Sequence, residues 1–201
     1  AMKYIEMTLK GHVNSKLVRM LNARGMKAVG LSGKDGAMVK ASRRMHKTRE
    51  GKEADIGFVG DVAEIDTSLP DLLLEKHYIA VISPIAQGPD HMDYNVNADM
   101  FAGHLAGALR ADHFVMLTDV DGLMKDPDKP ETLIKKLPTQ DIEKLMGSVI
   151  KGGMIPKTEA CKIAVEEGAH SAIITNGTKP EYLISSIKDI NSATGTILHK
   201  L

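Results

Sequence analysis

Apolar positions along this chain of 201 residues switch repeatedly between a helical period and short strand-like runs. Residues 14–24 place Leu17, Val18 and Leu21 on one helical face and stop at Gly25. Residues 27–31 (KAVGL) form a short apolar run that enters a glycine-rich turn at 32–36 (SGKDG). Residues 37–42 and 56–65 alternate apolar and polar side chains, as hairpin strands do, and the polar stretch 43–55 between them predicts a mobile loop. Ser68 predicts the N-cap of a helix over 69–77, with Pro70 in its first turn. Residues 78–85 (YIAVISPI) and 113–117 (HFVML) are near-continuous apolar runs, the pattern of strands buried on both faces. A turn-rich loop at 87–94 leads to a helix over 97–110, with Met100, Phe101, Leu105, Ala108 and Leu109 on one face. A loop or short hairpin at 126–138 follows. Helices over 139–146 and 155–167, a strand at 170–175, a helix at 180–187 and an edge strand at 195–198 complete the pattern.

This alternation predicts an α/β fold, a three-layer αβα sandwich around an open, mainly parallel sheet. No internal repeat, low-complexity tract or long linker divides it, so residues 1–201 are expected to form a single domain. Ligands of open α/β sheets sit beyond the carboxyl ends of the strands, which directs attention to the loops after Leu31, Ile85, Leu117 and Thr175.

Composition narrows the picture. Hydrophobic residues make up 43% and charged residues 26%, an ordinary soluble composition. Lysine plus arginine and aspartate plus glutamate are 26 each, which removes any global basic excess for nucleic acid or an anionic membrane but leaves room for a local phosphate site. The one cysteine, Cys161, cannot form an intrachain disulfide and is expected to fill the core of a protein from a reducing cytoplasm. No apolar run reaches the ~18 residues of a membrane-spanning helix, and residues 3–16 lack the apolar centre of a signal peptide. Ala1 ahead of Met2 is read as a vector remnant.

Three stretches carry chemistry. Asn95, Asn97 and Asp99 cluster at a helix start, where Asn97 caps first-turn amides and Asp99 complements the helix dipole. The same cluster also suits a second reading, with Asn95 bonding a substrate and Asp99 holding lysine ammonium groups. The run Thr118-Asp119-Val120-Asp121-Gly122-Leu123 presents hydroxyl, carboxylate and free backbone at a strand's carboxyl end. It fits a ribose or nucleotide, and equally a turn with Gly122 at positive φ. In Gly152-Gly153-Met154-Ile155-Pro156-Lys157, two glycines expose backbone amides just before a helix, Pro156 suits its first turn, and Lys157 adds a cation. A cation is disfavoured by the dipole there, which fits a ligand-directed lysine; a solvated surface lysine is the alternative. SGKDG lacks the spacing of a phosphate loop and is read as a turn. No metal-ligand spacing or nucleophilic triad signature occurs, and His91 is expected to face solvent.

Taken in order, KAVGLSGKDG, DIGFVGDV, YIAVISPIA, YNVNAD, LTDVDGL, GGMIPK and GTIL resemble acetylglutamate kinase, within the amino-acid kinase superfamily, from about Val13 to the C-terminus. The resemblance implies transfer of a phosphoryl group from ATP to the side-chain carboxylate of N-acetyl-L-glutamate, in arginine biosynthesis. It implies that Asn95 contacts N-acetyl-L-glutamate and that Asp99 organises the catalytic lysines. Asp119, Val120, Asp121, Gly122, Leu123 and Met124 would line the ATP site with Val149, Ile150, Lys151, Gly152 and Gly153. Lys157 would stabilise the phosphoryl group in transit. Such chemistry rests on positioning and distributed positive charge. Magnesium would arrive on the nucleotide, with no tightly bound protein-coordinated metal. Residues 111–201 would be the nucleotide-binding half.

Family members begin with a strand carrying a lysine and a Gly-Gly turn, then a second glycine-rich loop; neither is in this sequence. The expectation is therefore a truncated domain with its N-terminal strands missing, inactive or weakly active alone. The alternatives are a non-catalytic nucleotide-binding module, half of a split kinase completed by an N-terminal half, or a remnant that self-assembles; a homo-oligomer is expected. Residues 181–188 do not match the segment of arginine-inhibited members, so arginine feedback is not expected.

Overall fold

The computed structural model describes residues 1–48 and 50–200, without the side chain of Asn191. The chain divides into two compact units, Ala1–Phe101 and Ala102–Leu201.

The first unit opens with helix α1 (Met2–Glu6), a π-helical stretch (Met7–Asn14) and α2 (Ser15–Asn22), joined through right-handed backbone at Met7 and Ser15. Sequence periodicity places helix only from residue 14. The earlier turns lack an apolar stripe and are tied by polar side chains at four-residue spacing instead. Glu6 pairs with Lys34 at 2.6 Å, and Lys10 bonds the Gly30 carbonyl at 2.5 Å. Asn14, 4% exposed, donates to the carbonyls of Leu31 (3.1 Å) and Val81 (2.7 Å). Gly30 is glycine because a Cβ there would lie 2.1 Å from the Asn14 side-chain oxygen.

Strand β1 (Ala28–Ser32) leads through a 3-10 turn (Asp35–Ala37) to β2 (Val39–Lys47) and β3 (Glu53–Ile65). Helix α3 (Ser68–Glu75), β4 (Ile79–Ser83), β5 (Ile85–Gln87) and β6 (Asp93–Val96) follow. β1 and β4 pair in parallel, with Ser32 opposite Ser83. Strands β2, β3, β6 and β5 close a small barrel, and Met38, Val39, Ile85 and Tyr94, in or beside its strands, are each at most 1% exposed.

Several expectations change here. Residues 43–55 are not a loop throughout: β2 runs on to Lys47 and β3 starts at Glu53, held by cross-strand ion pairs of Arg43 with Asp55 (2.9 Å) and of Arg44 with Asp61. The added ends, residues 43–47 and 53–55, are mostly polar, so no apolar alternation marks them. The turn-rich stretch 87–94 contains the end of β5 and the start of β6, which pair antiparallel. Thr67 rather than Ser68 occupies the cap position of α3, and the Asp66 carboxylate takes the Ser68 amide at 2.9 Å. β4 is half-exposed rather than buried on both faces, with β1 its only partner strand among the described residues.

Helix α4 (Ala98–Ala108) begins in the first unit and ends in the second. The second unit adds β7 (His113–Thr118), a 3-10 turn (Pro130–Thr132), β8 (Lys136–Pro138), a second 3-10 turn (Thr139–Asp141), α5 (Ile142–Leu145) and α6 (Met154–Glu167). Then come β9 (Ser171–Asn176), α7 (Pro180–Lys188), a 3-10 turn (Ile190–Ser192) and β10 (Thr196–His199). The sheet order is β7-β9-β10-β8; β7 with β9 and β10 with β8 are parallel, and β9 with β10 antiparallel. β9 is buried along its whole length, as its apolar run requires. β7 alternates instead, burying Phe114 and Met116 and leaving Leu117 46% exposed. β10 is an interior strand, not the edge expected, because β8 adds outside it. The helix expected over 139–146 is one 3-10 turn and four α-helical residues.

The α-helices of this unit approach unusually closely. A Cβ on Gly103 would sit 2.4 Å from the Ala160 carbonyl, and one on Gly107 2.6 Å from Glu167 Cβ. Two glycines four residues apart on α4 face Ala160 and Ala164, also four apart, so the backbones of α4 and α6 touch directly. His104 then bonds Glu167 at 2.9 Å across the same contact. Cys161 is buried in α6, as expected.

Candidate functional site

The carboxyl ends of β7 and β9 lie side by side, with Thr118 opposite Asn176. From there the chain enters the loop of Asp119, Val120, Asp121 and Gly122, which is tied on both flanks. Gly177 donates its amide to the Thr118 carbonyl at 2.8 Å. The Asn176 side-chain amide reaches Asp121 Oδ1 at 2.8 Å and the Asp119 carbonyl at 3.4 Å. On the other flank, the Leu123 amide donates to Thr196 Oγ1 at 2.8 Å, with both residues buried. Gly122 takes φ of 145°, and a Cβ on it would lie 2.7 Å from Thr196 Oγ1 and 3.0 Å from the Thr196 amide nitrogen. Glycine is required there by backbone conformation and by close approach, and the positive φ matches the sequence reading.

A lysine that sequence reasoning did not single out completes the loop. Lys179 Nζ donates to both oxygens of Asp121, at 2.9 and 3.0 Å, and to the Tyr182 hydroxyl at 3.3 Å. The hydrogen bonds from Lys179 and Asn176 hold the Asp121 carboxyl below its ordinary pKa, and Asp121 raises that of Lys179. The sequence signal was the loop after Thr175, flagged by strand position alone; the pairing of residues 58 apart carries no local pattern.

The second stretch lies at the start of α6. The amides of Val149 and Ile150 are spent on the Leu145 carbonyl, both at 3.0 Å, and those of Met154 and Ile155 on Lys151 and Gly152. Among the described residues, the amides of Lys151, Gly152 and Gly153 have no backbone acceptor, and all three residues are exposed. A Cβ on either glycine would meet nothing within 4 Å, so packing does not demand glycine. Gly152 needs it for its φ of 52°. Lys157 is half-buried in the first turn of α6.

Topology puts both stretches at one end of the sheet. α6 enters β9 through three residues and packs on it, so the two run in opposite directions. The fourteen residues of α6 rise about 21 Å, much the length of the six-residue β9 at about 20 Å. The start of α6 therefore lies level with the carboxyl ends of β7 and β9. Of the expected nucleotide-lining residues, Leu123 and Ile150 are 2% and 0% exposed, and their amides are already bonded. They anchor the loops from below, and Gly122 is buried with them; Asp119, Val120, Asp121, Met124, Val149, Lys151, Gly152 and Gly153 are the accessible ones.

Asn95 and Asp99 belong to the first unit. Asn95 is a half-buried residue of β6, paired to Ile85 and Val59, and Asp99 lies in the first turn of α4. Asn97 caps that helix, accepting the Met100 amide at 3.1 Å. The SGKDG segment is a turn, as read: Asp35 takes the Ser32 amide at 2.8 Å, and Lys34 pairs with Glu6 and Asp93, both at 2.6 Å. His91 is exposed. Among the described residues no group of three His, Cys, Asp or Glu side chains converges on a metal position, and no helix is long and apolar enough to cross a membrane.

Two loops at the carboxyl end of a parallel strand pair, in an α/β chain, can be set beside known proteins. The chain belongs to the amino acid kinase family, whose family model matches residues 1–176. Within that family it is similar to curated acetylglutamate kinases. It is 46% identical over 176 residues to the acetylglutamate kinase of Methanopyrus kandleri, covering 87% of this chain and 71% of that one. It is 44% identical over 190 residues to that of Methanococcus vannielii, covering 92% and 65%. The chain thus spans about two thirds of the length of these relatives. Among solved structures, smu.665 from Streptococcus mutans superposes with a TM-score of 0.76 at 24% identity, over 98% of this chain and 71% of that one. N-acetylglutamate synthase from Neisseria gonorrhoeae, complexed with coenzyme A and N-acetyl-glutamate, gives 0.75 at 23%, over 95% and 42%. By family the chain is a kinase, a phosphotransferase.

Proposed function

We propose that the chain is the nucleotide-holding part of an acetylglutamate kinase, which moves the terminal phosphoryl group of ATP onto the side-chain carboxylate of N-acetyl-L-glutamate in cytoplasmic arginine biosynthesis. The carrying observation is the set of exposed amides at Lys151, Gly152 and Gly153, lacking backbone acceptors among the described residues and level with the loop after β7. Unbonded amides at a helix start attract phosphate oxygens through hydrogen bonds and the helix dipole. In this reading they receive the terminal phosphates, Lys157 stabilises charge on the group in flight, and the accessible residues of 119–124 face the nucleoside. Asn95 contacts the acceptor, and Asp99 fixes lysine ammonium groups. Magnesium is carried by the phosphate oxygens of ATP, since few protein ligands suffice for it.

Calorimetric titration of the chain with ATP and Mg²⁺ tests this. Saturable binding is expected, weakened about tenfold or more in Lys157→Ala, the scale of one lost charge-assisted contact. Absence of heat and of any thermal shift would remove the reading. A second reading, a nucleotide-binding module without turnover, is favoured by the placement of every expected nucleotide residue in the second unit. It predicts ATP binding with no ADP release on adding N-acetyl-L-glutamate.

A further inference from the structure

We infer that Lys179 is a charge-compensating and positioning residue of the nucleotide site: its ion pair with Asp121 fixes the loop of residues 119–124 and keeps a bare carboxylate from repelling the polyphosphate. The inference rests on the nucleotide reading above and assigns a role to a residue outside the recognised motifs.

The geometry of the pair is that of a latch. Asp121 receives three hydrogen bonds from the end of β9 and the segment after it: one from Asn176 at 2.8 Å and two from Lys179 at 2.9 and 3.0 Å. Asn176 cannot turn away, because its side-chain oxygen accepts from the amide and hydroxyl of Thr178, at 3.0 and 2.7 Å. Lys179 is aimed by Tyr182, whose ring centroid lies 4.8 Å from Nζ and whose hydroxyl accepts from it at 3.3 Å. Two elements that close the carboxyl end of the sheet are thereby joined through one carboxylate.

Electrostatics explains why a lysine occupies this position. Lys179 is the cap residue of α7, where the helix dipole disfavours a cation. Serine, threonine, aspartate or asparagine would serve the helix better. The placement makes sense through Asp121, which needs a counter-charge if a nucleotide bearing anionic phosphates is to bind against its loop. The Asp121 side chain is 26% exposed and Lys179 39%, so the pair is wet enough to contribute little to folding. Against a ligand carrying several negative charges, an uncompensated carboxylate in the binding loop matters far more.

The test is a double-mutant cycle on the full chain, read by calorimetry with ATP–Mg²⁺ and, in parallel, with adenosine. Lys179→Ala is expected to weaken ATP about tenfold, or about 1.4 kcal/mol, and adenosine much less. Lys179→Arg should stay close to the parent chain. Adding Asp121→Asn to Lys179→Ala should restore most of the ATP affinity, since the repelling charge is then gone. Lys179→Met, whose stem keeps its packing on Tyr182, replaces the alanine variant if that variant melts early. Equal ATP affinity in parent and Lys179→Ala overturns the inference while leaving the nucleotide site intact. So does a double variant as weak as the single one at unchanged melting temperature, which would mean only loop packing was lost. A parent chain that binds no ATP removes the nucleotide reading itself, and this inference with it.

Discussion

Replacing Thr196 with valine isolates the bond that holds the loop after β7 to the strand at the end of the chain. Thr196 is wholly buried, and its Oγ1 accepts the Leu123 amide at 2.8 Å, with Leu123 itself 2% exposed. Valine keeps the shape and removes the acceptor, so the amide stays in the interior without a partner. Such an orphaned donor costs about 1–3 kcal/mol, so about 2 kcal/mol is expected here. Serine makes the opposite change, keeping the hydroxyl and losing one buried methyl for about 1 kcal/mol. The order of stability is therefore parent, then Thr196→Ser, then Thr196→Val. For a cooperative unit of this chain's size, 2 kcal/mol lowers the melting temperature by about 4–8 °C. The chain contains no tryptophan, so unfolding is followed by far-ultraviolet circular dichroism. A valine variant that melts at or above the serine variant would refute the reasoning, because apolar packing and not the hydrogen bond would then be holding Thr196.

Three further outcomes follow from particular contacts. Gly103→Ala drives a methyl to within 2.4 Å of the Ala160 carbonyl, and overpacking of this kind costs about 1–3 kcal/mol; a denaturant midpoint equal to that of the parent would show that α4 and α6 are not in backbone contact. Gly153→Ala has open space for its methyl and a φ of −65° that alanine adopts freely, so stability should change by less than about 0.5 kcal/mol. ATP binding by the same variant should weaken several-fold, and unaltered affinity would exclude close approach of phosphate at that amide. Asp121 has its pKa depressed by the bonds from Lys179 and Asn176, so the pair stabilises the fold above the ordinary carboxylate range and the contribution fades as pH falls through the lowered value. A carboxyl carbon titration by NMR should place Asp121 below the usual value of about 3.9 and show it rising in Lys179→Ala; a midpoint at or above that value contradicts the ion pair.

Elements with an apolar rhythm were readable in the sequence, and those held by polar contacts were not. The buried run at 170–175 and the helix over 155–167 appear within a residue of their expected bounds, because burial imposed their pattern. The π-helical stretch before residue 14, residues 43–47 of β2 and residues 53–55 of β3 were missed, since ion pairs and side-chain-to-carbonyl bonds secure them. The position of β10 inside its sheet could not be read at all. Edge or interior depends on where β8 docks, sixty residues earlier in the chain, and a strand's own pattern does not encode its neighbours.

The same division runs through the candidate site. Glycines 122, 152 and 153 stand out in the sequence, yet the structure gives them different reasons. Gly122 is dictated by Thr196 and Gly152 by a positive φ, while Gly153 answers to neither packing nor strain. A glycine that the fold does not require, beside an amide with no backbone acceptor among the described residues, is a position where the proposed phosphate contact can be tested without disturbing the fold. Lys179 shows the converse: nothing in its local sequence marks it, and its helix-cap position argues against a lysine. Its purpose emerges only when Asp121, distant along the chain, is found in its grasp. Residues whose presence the fold itself does not explain are thus where ligand chemistry is to be sought in this molecule.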